Sequence, residues 1–325
     1  MKLVLIFIIF DIIFCFEIIK TGEFDWADKN VKMEDMPIFD NSGNYYLVTS
    51  ENCEILKVDS NNRIVIRKKY FGNGPGELVN PTCTLFNNNC FYVYDANKVN
   101  INIYDINLNF LSSINVGSRY LSFKPIHENL VLANVAKTET IDKKITIKRK
   151  LILLDKNFQL VKELIELEKV QLFLKYDIDF EKKEIYLIED SFDMIVHVFD
   201  FEGNEKSVIR NPRPKIKFSK TEVKNEDYFM TGRIDKSYKY SIQDLFVYKD
   251  KFILVPGFQV FNDEDRLKYK IQICNRDLEE VQTQEIDFIK GSYYGISGEI
   301  VKYINGKLIV NDLFNGVLSF YEIIE

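Results

Sequence analysis

Histidine is nearly missing from this 325-residue chain: there are two, His127 and His197. A zinc centre built on several imidazoles therefore has no ligand supply. The five cysteines, Cys15, Cys53, Cys83, Cys90 and Cys274, contain no Cys-x-x-Cys pair, which removes the usual structural-zinc and dithiol-redox spacings. Glycine and proline are scarce, at 14 and 7, so collagen-like and low-complexity readings fall away. No Gly-x-Ser-x-Gly elbow occurs, and serine-hydrolase chemistry has no sequence support. The formal net charge is −6. A surface of that sign does not favour non-specific binding to nucleic acid, which wants a basic face.

What remains is apolar and aromatic. Hydrophobic residues make up 46% of the chain and aromatic residues 14%, enough for a large core and too much for a disordered chain. The N-terminus is the most apolar stretch. Met1–Lys2 precedes Leu3 to Phe10, then Asp11, then Ile12 to Phe16. One positive charge before a short apolar run reads as a secretory signal peptide over residues 1–16, too short for a membrane span. Asp11 inside the run and the lack of a small-x-small cleavage site leave a native β-strand as the competing reading. Ile12–Ile–Phe–Cys15 has the outline of a lipoprotein box, which would anchor the protein through Cys15, but Phe14 stands where such boxes carry a small residue.

Residues 71–111 set the pattern for the rest of the chain. The loop Gly72–Asn–Gly–Pro–Gly–Glu77 is followed by strand-like runs at Thr82–Phe86, Cys90–Asp95 and Ile101–Asp105, and a fourth opens at Phe110. β-Branched and aromatic residues with period-two alternation suit a pleated, packed sheet. Asn87–Asn89 and Asn107–Asn109 supply turns, because Asn tolerates positive φ. Weaker copies recur. The clearest strand of each opens at Tyr45, Phe91, Leu130, Ile185, Phe252 and Leu308, spaced 39 to 67 residues apart. Four-stranded units repeated at this interval predict a propeller of six blades in a single domain over residues 17–325. The sixth copy runs out of chain after Val317 to Ile324. A ring needs that last outer strand, and the unassigned segment from Phe16 to Trp26 is positioned in sequence to supply it.

Two stretches break the repeat. Residues 136–149 predict a charged, hairpin-like extension, expected to be solvated. The insertion at 212–240 separates blades four and five. Within it Ser219–Lys–Thr221, followed by acids and an apolar run to Met230, predicts a short capped helix. The insertion also gathers Tyr228, Phe229, Arg233, Tyr238 and Tyr240.

Gly72 to Glu77 is not a phosphate loop, since no Gly-Lys-Ser/Thr opens a helix there and Pro81 argues against one; it predicts a structural turn. The same residues carry a resemblance. Gly72, Gly74, Pro75, Gly76, Glu77 and Pro81, with the strand Phe91–Asp95 and Asn97, resemble the repeat of NHL-type six-bladed β-propellers, and of secreted bacterial propellers in particular. Leu78 replaces a phenylalanine, and Lys98–Val99–Asn100 departs from the usual Arg-Ile pair. The match covers about forty residues. It implies an all-β ring of four-stranded antiparallel blades and says little about activity. Among related propellers, zinc lyases with several histidine ligands are excluded here by composition. Gluconolactonase-like members hold a divalent ion, such as Ca²⁺, in the channel with Glu, Asn and Asp side chains, and no such set can be aligned on this chain.

In propellers generally, the loops joining blades share a face with the turns between second and third strands. That face would carry Glu77, Asp95, Asn97, Asp190, Tyr228, Arg233 and Asp312: an acidic rim with an aromatic lid, suited to a cation, a sugar or a basic peptide. Asx-turn chemistry is the competing explanation for those acids. The expectation is a non-catalytic binding propeller, exported and monomeric, without nucleic acid or a membrane span. Its ligand would be a protein, peptide or carbohydrate. A metal-dependent hydrolase or lactonase with a channel ion is the alternative. Lone His197 is expected to be packed or exposed. Cys83 and Cys90 are expected either as a disulfide between adjacent strands or, with the other thiols, as small buried hydrophobes.

Overall fold

In the computed structural model, the described residues are 17–27, 29, 36–141, 144–167, 174–189, 194–211, 242–256, 266–289, 301–304, 306–312 and 317–324. Among them there are 24 β-strands and no helix. The chain opens with β1 (Glu17–Asp25). Blade one is β2 (Ile38–Phe39), β3 (Tyr45–Thr49), β4 (Glu54–Val58) and β5 (Ile64–Lys69). Blade two is β6 (Pro81–Asn87), β7 (Cys90–Asp95), β8 (Asn100–Asp105) and β9 (Phe110–Asn115). Blade three is β10 (Arg119–His127), β11 (Leu130–Ile141), β12 (Lys144–Asp155) and β13 (Leu160–Leu167). Blade four is β14 (Lys175–Asp179), β15 (Glu184–Glu189), β16 (Met194–Asp200) and β17 (Glu205–Asn211). Blade five is β18 (Ile242–Tyr248), β19 (Lys251–Pro256), β20 (Arg266–Cys274) and β21 (Glu280–Ile289). Blade six is β22 (Val301–Ile304), β23 (Lys307–Asp312) and β24 (Val317–Ile324), with β1 on its outer edge.

Within each blade the named strands pair antiparallel, as between β1 and β24 or β6 and β7, and meander outward. β1 runs along β24 from Glu17 opposite Ile324 to Asp25 opposite Val317. The N-terminal strand thus completes the last blade, as the missing outer strand requires. Among the described residues, six apolar clusters fill the six blade–blade interfaces. The closing seam packs Phe24, Trp26, Leu318 and Phe320 against Tyr45, Leu47 and Leu56 of blade one. Both faces of each sheet are covered, so β3 is buried at every position, while outer strands such as β5 alternate between half-buried and exposed. Sheet-on-sheet packing of this kind places alternate residues of one strand in two different seams. Tyr46 and Val48 face blade two and Tyr45 and Leu47 face blade six.

One turn recurs between the third and fourth strands. Its first residue is Asp59, Asp105, Asp155, Asp200 or Asn275. In each, the side-chain Oδ1 accepts the N–H four residues on, at 2.7 to 2.9 Å. The fourth residue has positive φ: Asn62, Leu108, Phe158, Gly203 and Leu278. This is the three-residue hairpin loop with a bulge, for which glycine is the natural fourth residue. Here Leu108, Phe158 and Leu278 occupy it although bulky side chains disfavour that backbone. Each is buried and plugs a seam between blades.

The charged extension of blade three is a hairpin: β11 and β12 stay paired out to Ile141 opposite Lys144. The insertion at 212–240 and its expected helix lie outside the described residues. Cys83 and Cys90 do not pair. Cys83 stands opposite Tyr94 and Cys90 opposite Asn87, and none of Cys53, Cys83, Cys90 and Cys274 is in a disulfide.

Candidate functional site

Antiparallel order gathers the blade-joining loops and the turns between second and third strands on one face of the ring. Its best-defined part is the loop Phe71–Asn80 between blades one and two. Glu77 turns back on its own loop, where Oε2 accepts the Gly74 N–H at 2.6 Å. A Cβ at Gly72, whose φ is +147°, would overlap that carboxylate. Gly76, with φ +73°, lies against the Phe110 ring, and a Cβ there would collide with it. The loop is also tied to blade two. The Asn102 amide and the Lys98 ammonium donate to the Glu77 carbonyl at 2.9 and 2.8 Å, and the Tyr104 hydroxyl donates to the Gly76 carbonyl at 2.8 Å.

Asp95 is fully buried at the end of β7. Its carboxylate accepts backbone N–H groups from Val79 (2.6 Å), Asn80 (3.3 Å), Asn97 (3.0 Å) and Lys98 (3.1 Å). Asn97 Oδ1 accepts from the Asn80 amide at 3.2 Å. Glu77, Asp95 and Asn97 therefore come together at the junction of blades one and two, where they brace the loop. Phe71 at the start of the loop is 70% exposed. Of the other expected face residues, Asp312 ends β23, paired in register with Val317. Asp190, Tyr228 and Arg233 lie outside the described residues.

The inner strands carry a second cluster that the sequence pattern did not single out. Lys124 on β10 donates to the Tyr176 carbonyl at 2.6 Å and to Asp177 Oδ1 at 2.8 Å, both on β14. Asp177 Oδ2 accepts the Val247 N–H of β18 at 2.7 Å. Three innermost strands are thereby stitched together. Burial works against the Lys124 charge, but Asp177 and Asp244 outweigh it and hold the ammonium well above its ordinary range. Ser122 meets the Tyr176 hydroxyl across the same seam at 2.9 Å. Lysine and aspartate at alternating positions of a short strand look like a solvent face, and only ring closure turns that face inward.

His197 is packed on β16 with both ring nitrogens against carboxylates, Nε2 to Glu189 at 2.8 Å and Nδ1 to Glu205 at 2.7 Å. Burial raises the thiols of Cys53, Cys90 and Cys274, the last to about 12, the opposite of what a nucleophilic thiolate needs. Arg276 lies over the rings of Tyr186 and Phe252 and donates to Asp179 Oδ2 at 2.8 Å, a clamp between blades four and five. Among the described residues no three His, Cys, Asp or Glu side chains converge as a metal ligand set, and no helix is long and apolar enough to cross a membrane.

No protein-family model matches the sequence, and no curated protein matches it significantly. Solved structures match by shape. A member of the DUF4221 family from Bacteroides vulgatus superposes with a TM-score of 0.59 at 12% identity, over 95% of this chain and 98% of that one. A Bacteroides fragilis protein for which export has been suggested gives 0.53 at 10% identity, over 95% of each chain. A luciferin-regenerating enzyme gives 0.53 at 10% identity, also over 95% of each chain. At such identities the likeness establishes the fold alone. One of the three is named as an enzyme, so the fold leaves activity open.

Proposed function

We propose that this protein is an exported, non-catalytic propeller with NHL-type repeats that binds a protein, peptide or carbohydrate ligand on its loop-bearing face. One observation carries the reading. The groups best suited to chemistry are already held by their neighbours. A catalytic lysine is tuned downward so that it can lose its proton, whereas the Lys124 ammonium is raised and bonded to Asp177 and a carbonyl. His197 has both ring nitrogens against carboxylates of its own blade, Glu189 and Glu205. The loop of Glu77 and Asp95 is braced by its own amides, which suits a preformed surface that need not order on binding. The insertion at 212–240, with Tyr228 and Arg233, and the acids Asp190 and Asp312 would extend that surface. Export is supported by the apolar residues 1–16 and by the suggestion of export for a protein of like fold.

The test is turnover. Purified protein is offered a panel of lactones and esters, beside Lys124→Met and Asp177→Asn variants. The reading predicts no hydrolysis above background in any of the three. Saturable hydrolysis by the wild type that either substitution abolishes would sink it.

A further inference from the structure

Asparagine followed by glycine occurs three times in the chain, at Asn73–Gly74, Asn305–Gly306 and Asn315–Gly316. Such a pair is chemically fragile, because glycine has no Cβ to keep its nitrogen away from the asparagine side chain. Only the first pair lies wholly within the described residues, in the loop Phe71–Asn80. Asn73 is exposed, and among the described residues its side-chain amide takes no hydrogen bond. Its Cγ is therefore free to swing over the next peptide nitrogen.

That nitrogen faces a base. The Gly74 N–H donates to Glu77 Oε2 at 2.6 Å, and the loop holds the carboxylate in place. The Glu77 N–H donates to the Gly74 carbonyl at 3.1 Å, which folds residues 74–77 into a turn. The Lys98 ammonium and the Asn102 amide fix the Glu77 carbonyl. Glycine on both sides of Asn73 leaves the carboxylate its room: a Cβ at Gly72 would overlap it, and one at Gly74 would lie 3.0 Å from Oε2. The other charged groups bonded to this loop leave the Gly74 N–H to Glu77. Lys98 donates to the carbonyls of Gly74 and Glu77, and Asp95 accepts the amides of Val79 and Asn80. The hydrogen bond lies in the peptide plane, whereas a nitrogen attacks through the face of its peptide, so the two do not compete.

We propose that Asn73 is a self-modification site, at which Glu77 is the general base for loss of the side-chain amide. The Gly74 nitrogen attacks Asn73 Cγ while its proton passes to the Glu77 carboxylate. The new N–Cγ bond closes a cyclic imide, the Cγ–Nδ2 bond breaks, and the proton leaves with Nδ2 as ammonia. Water then opens the imide at either carbonyl, giving aspartate or its β-linked isomer, and nothing is oxidised or reduced. Either product sets a second carboxylate beside Glu77, where like charges repel. The β-linked isomer also lengthens the main chain between Phe71 and the Gly74 amide. The loop that braces the junction of blades one and two thus carries a clock that alters the loop-bearing face with age. The assignment does not depend on what that face binds.

The experiment ages the full chain near neutral pH, folded and in denaturant, and follows Asn73 by peptide mass spectrometry and isoaspartate detection. The folded wild type is expected to convert Asn73, and Glu77→Gln to slow that conversion about tenfold or more, the loss of a positioned base. In denaturant the two chains should convert alike, because the carboxylate is no longer held at Gly74. A second readout needs no variant. Between about pH 6 and about pH 8 the folded wild-type rate should rise less than about threefold, whereas hydroxide-driven closure in denaturant rises about tenfold per pH unit. Should Glu77→Gln fail to fold, that profile decides. An Asn73 that stays intact, equal or faster conversion in folded Glu77→Gln, or a folded rate that tracks hydroxide each overturns the assignment.

Discussion

Leu108 allows the repeated turn to be tested with a sign as well as a magnitude. It is fully buried, its φ is +60°, and it packs among Tyr46, Phe91 and Tyr104 at the seam of blades one and two. Two effects oppose each other. The left-handed backbone costs a non-glycine residue about 1–2 kcal/mol, and burial of the side chain gains more. Leu108→Ala keeps the backbone cost and loses the packing, so about 3 kcal/mol of destabilisation is expected, within the range of about 2–5 for buried leucines. Leu108→Gly loses the same packing and one methyl more, but relieves the backbone. Its expected cost is about 2 kcal/mol, roughly 1 less than the alanine variant. That order inverts the usual preference for alanine over glycine. The assay is chemical denaturation followed by fluorescence and by circular dichroism, with coincident transitions required before a free energy is taken. An alanine variant as stable as or more stable than the glycine variant would refute the balance. So would both variants lying within about 0.5 kcal/mol of the wild type, the scatter of ordinary surface changes.

Acid should loosen the same turns. At Asp59 the Arg63 amide leads in lowering the pKa; at Asp105 and Asp200 burial opposes, but the amides of Asn109 and Asn204 prevail. Carboxylates lowered on folding contribute stability above their unfolded value near 3.8 and lose it as pH falls through the folded value. The melting temperature should therefore drop below about pH 4, and Asp105→Asn should flatten that drop; an unchanged acid profile in the variant would count against the turn. Lys124→Met strands Asp177 among the inner strands and should cost about 2–3 kcal/mol, less than the 3–5 of a fully buried pair because both side chains are partly exposed. The Lys124→Met, Asp177→Leu double variant should recover part of it, and additive costs in a double-mutant cycle would deny the coupling. Gly76→Ala meets the Phe110 ring in a backbone conformation that alanine resists, and should destabilise by about 2 kcal/mol or more. A thermal shift within error would show the loop to be softer than its hydrogen bonds imply.

The second and third strands of each blade were legible because they alternate apolar and polar residues between Asn- and Asp-rich turns. Blade closure was legible by counting: Val317 to Ile324 left no outer strand, and the segment after Phe16 was spare. Innermost strands were harder. β2 has two residues and β22 four, too few for periodicity to register. The structural role of Glu77 followed from its place in the glycine-rich loop, but its capture of the Gly74 amide did not. Lys124 and Asp177 are 53 residues apart, and each looked like the polar half of an alternating strand; only closure of the ring brings them within reach.

Binding without chemistry is the central claim, and metal content with thermal stability tests it most directly. Purified protein is analysed for bound metals by emission spectrometry and melted with Ca²⁺ and with chelator. The account predicts no stoichiometric ion and the same melting temperature in both solutions. A stoichiometric divalent ion, with a melting temperature that falls in chelator, would contradict it and point to a metal-dependent hydrolase or lactonase built on the same ring.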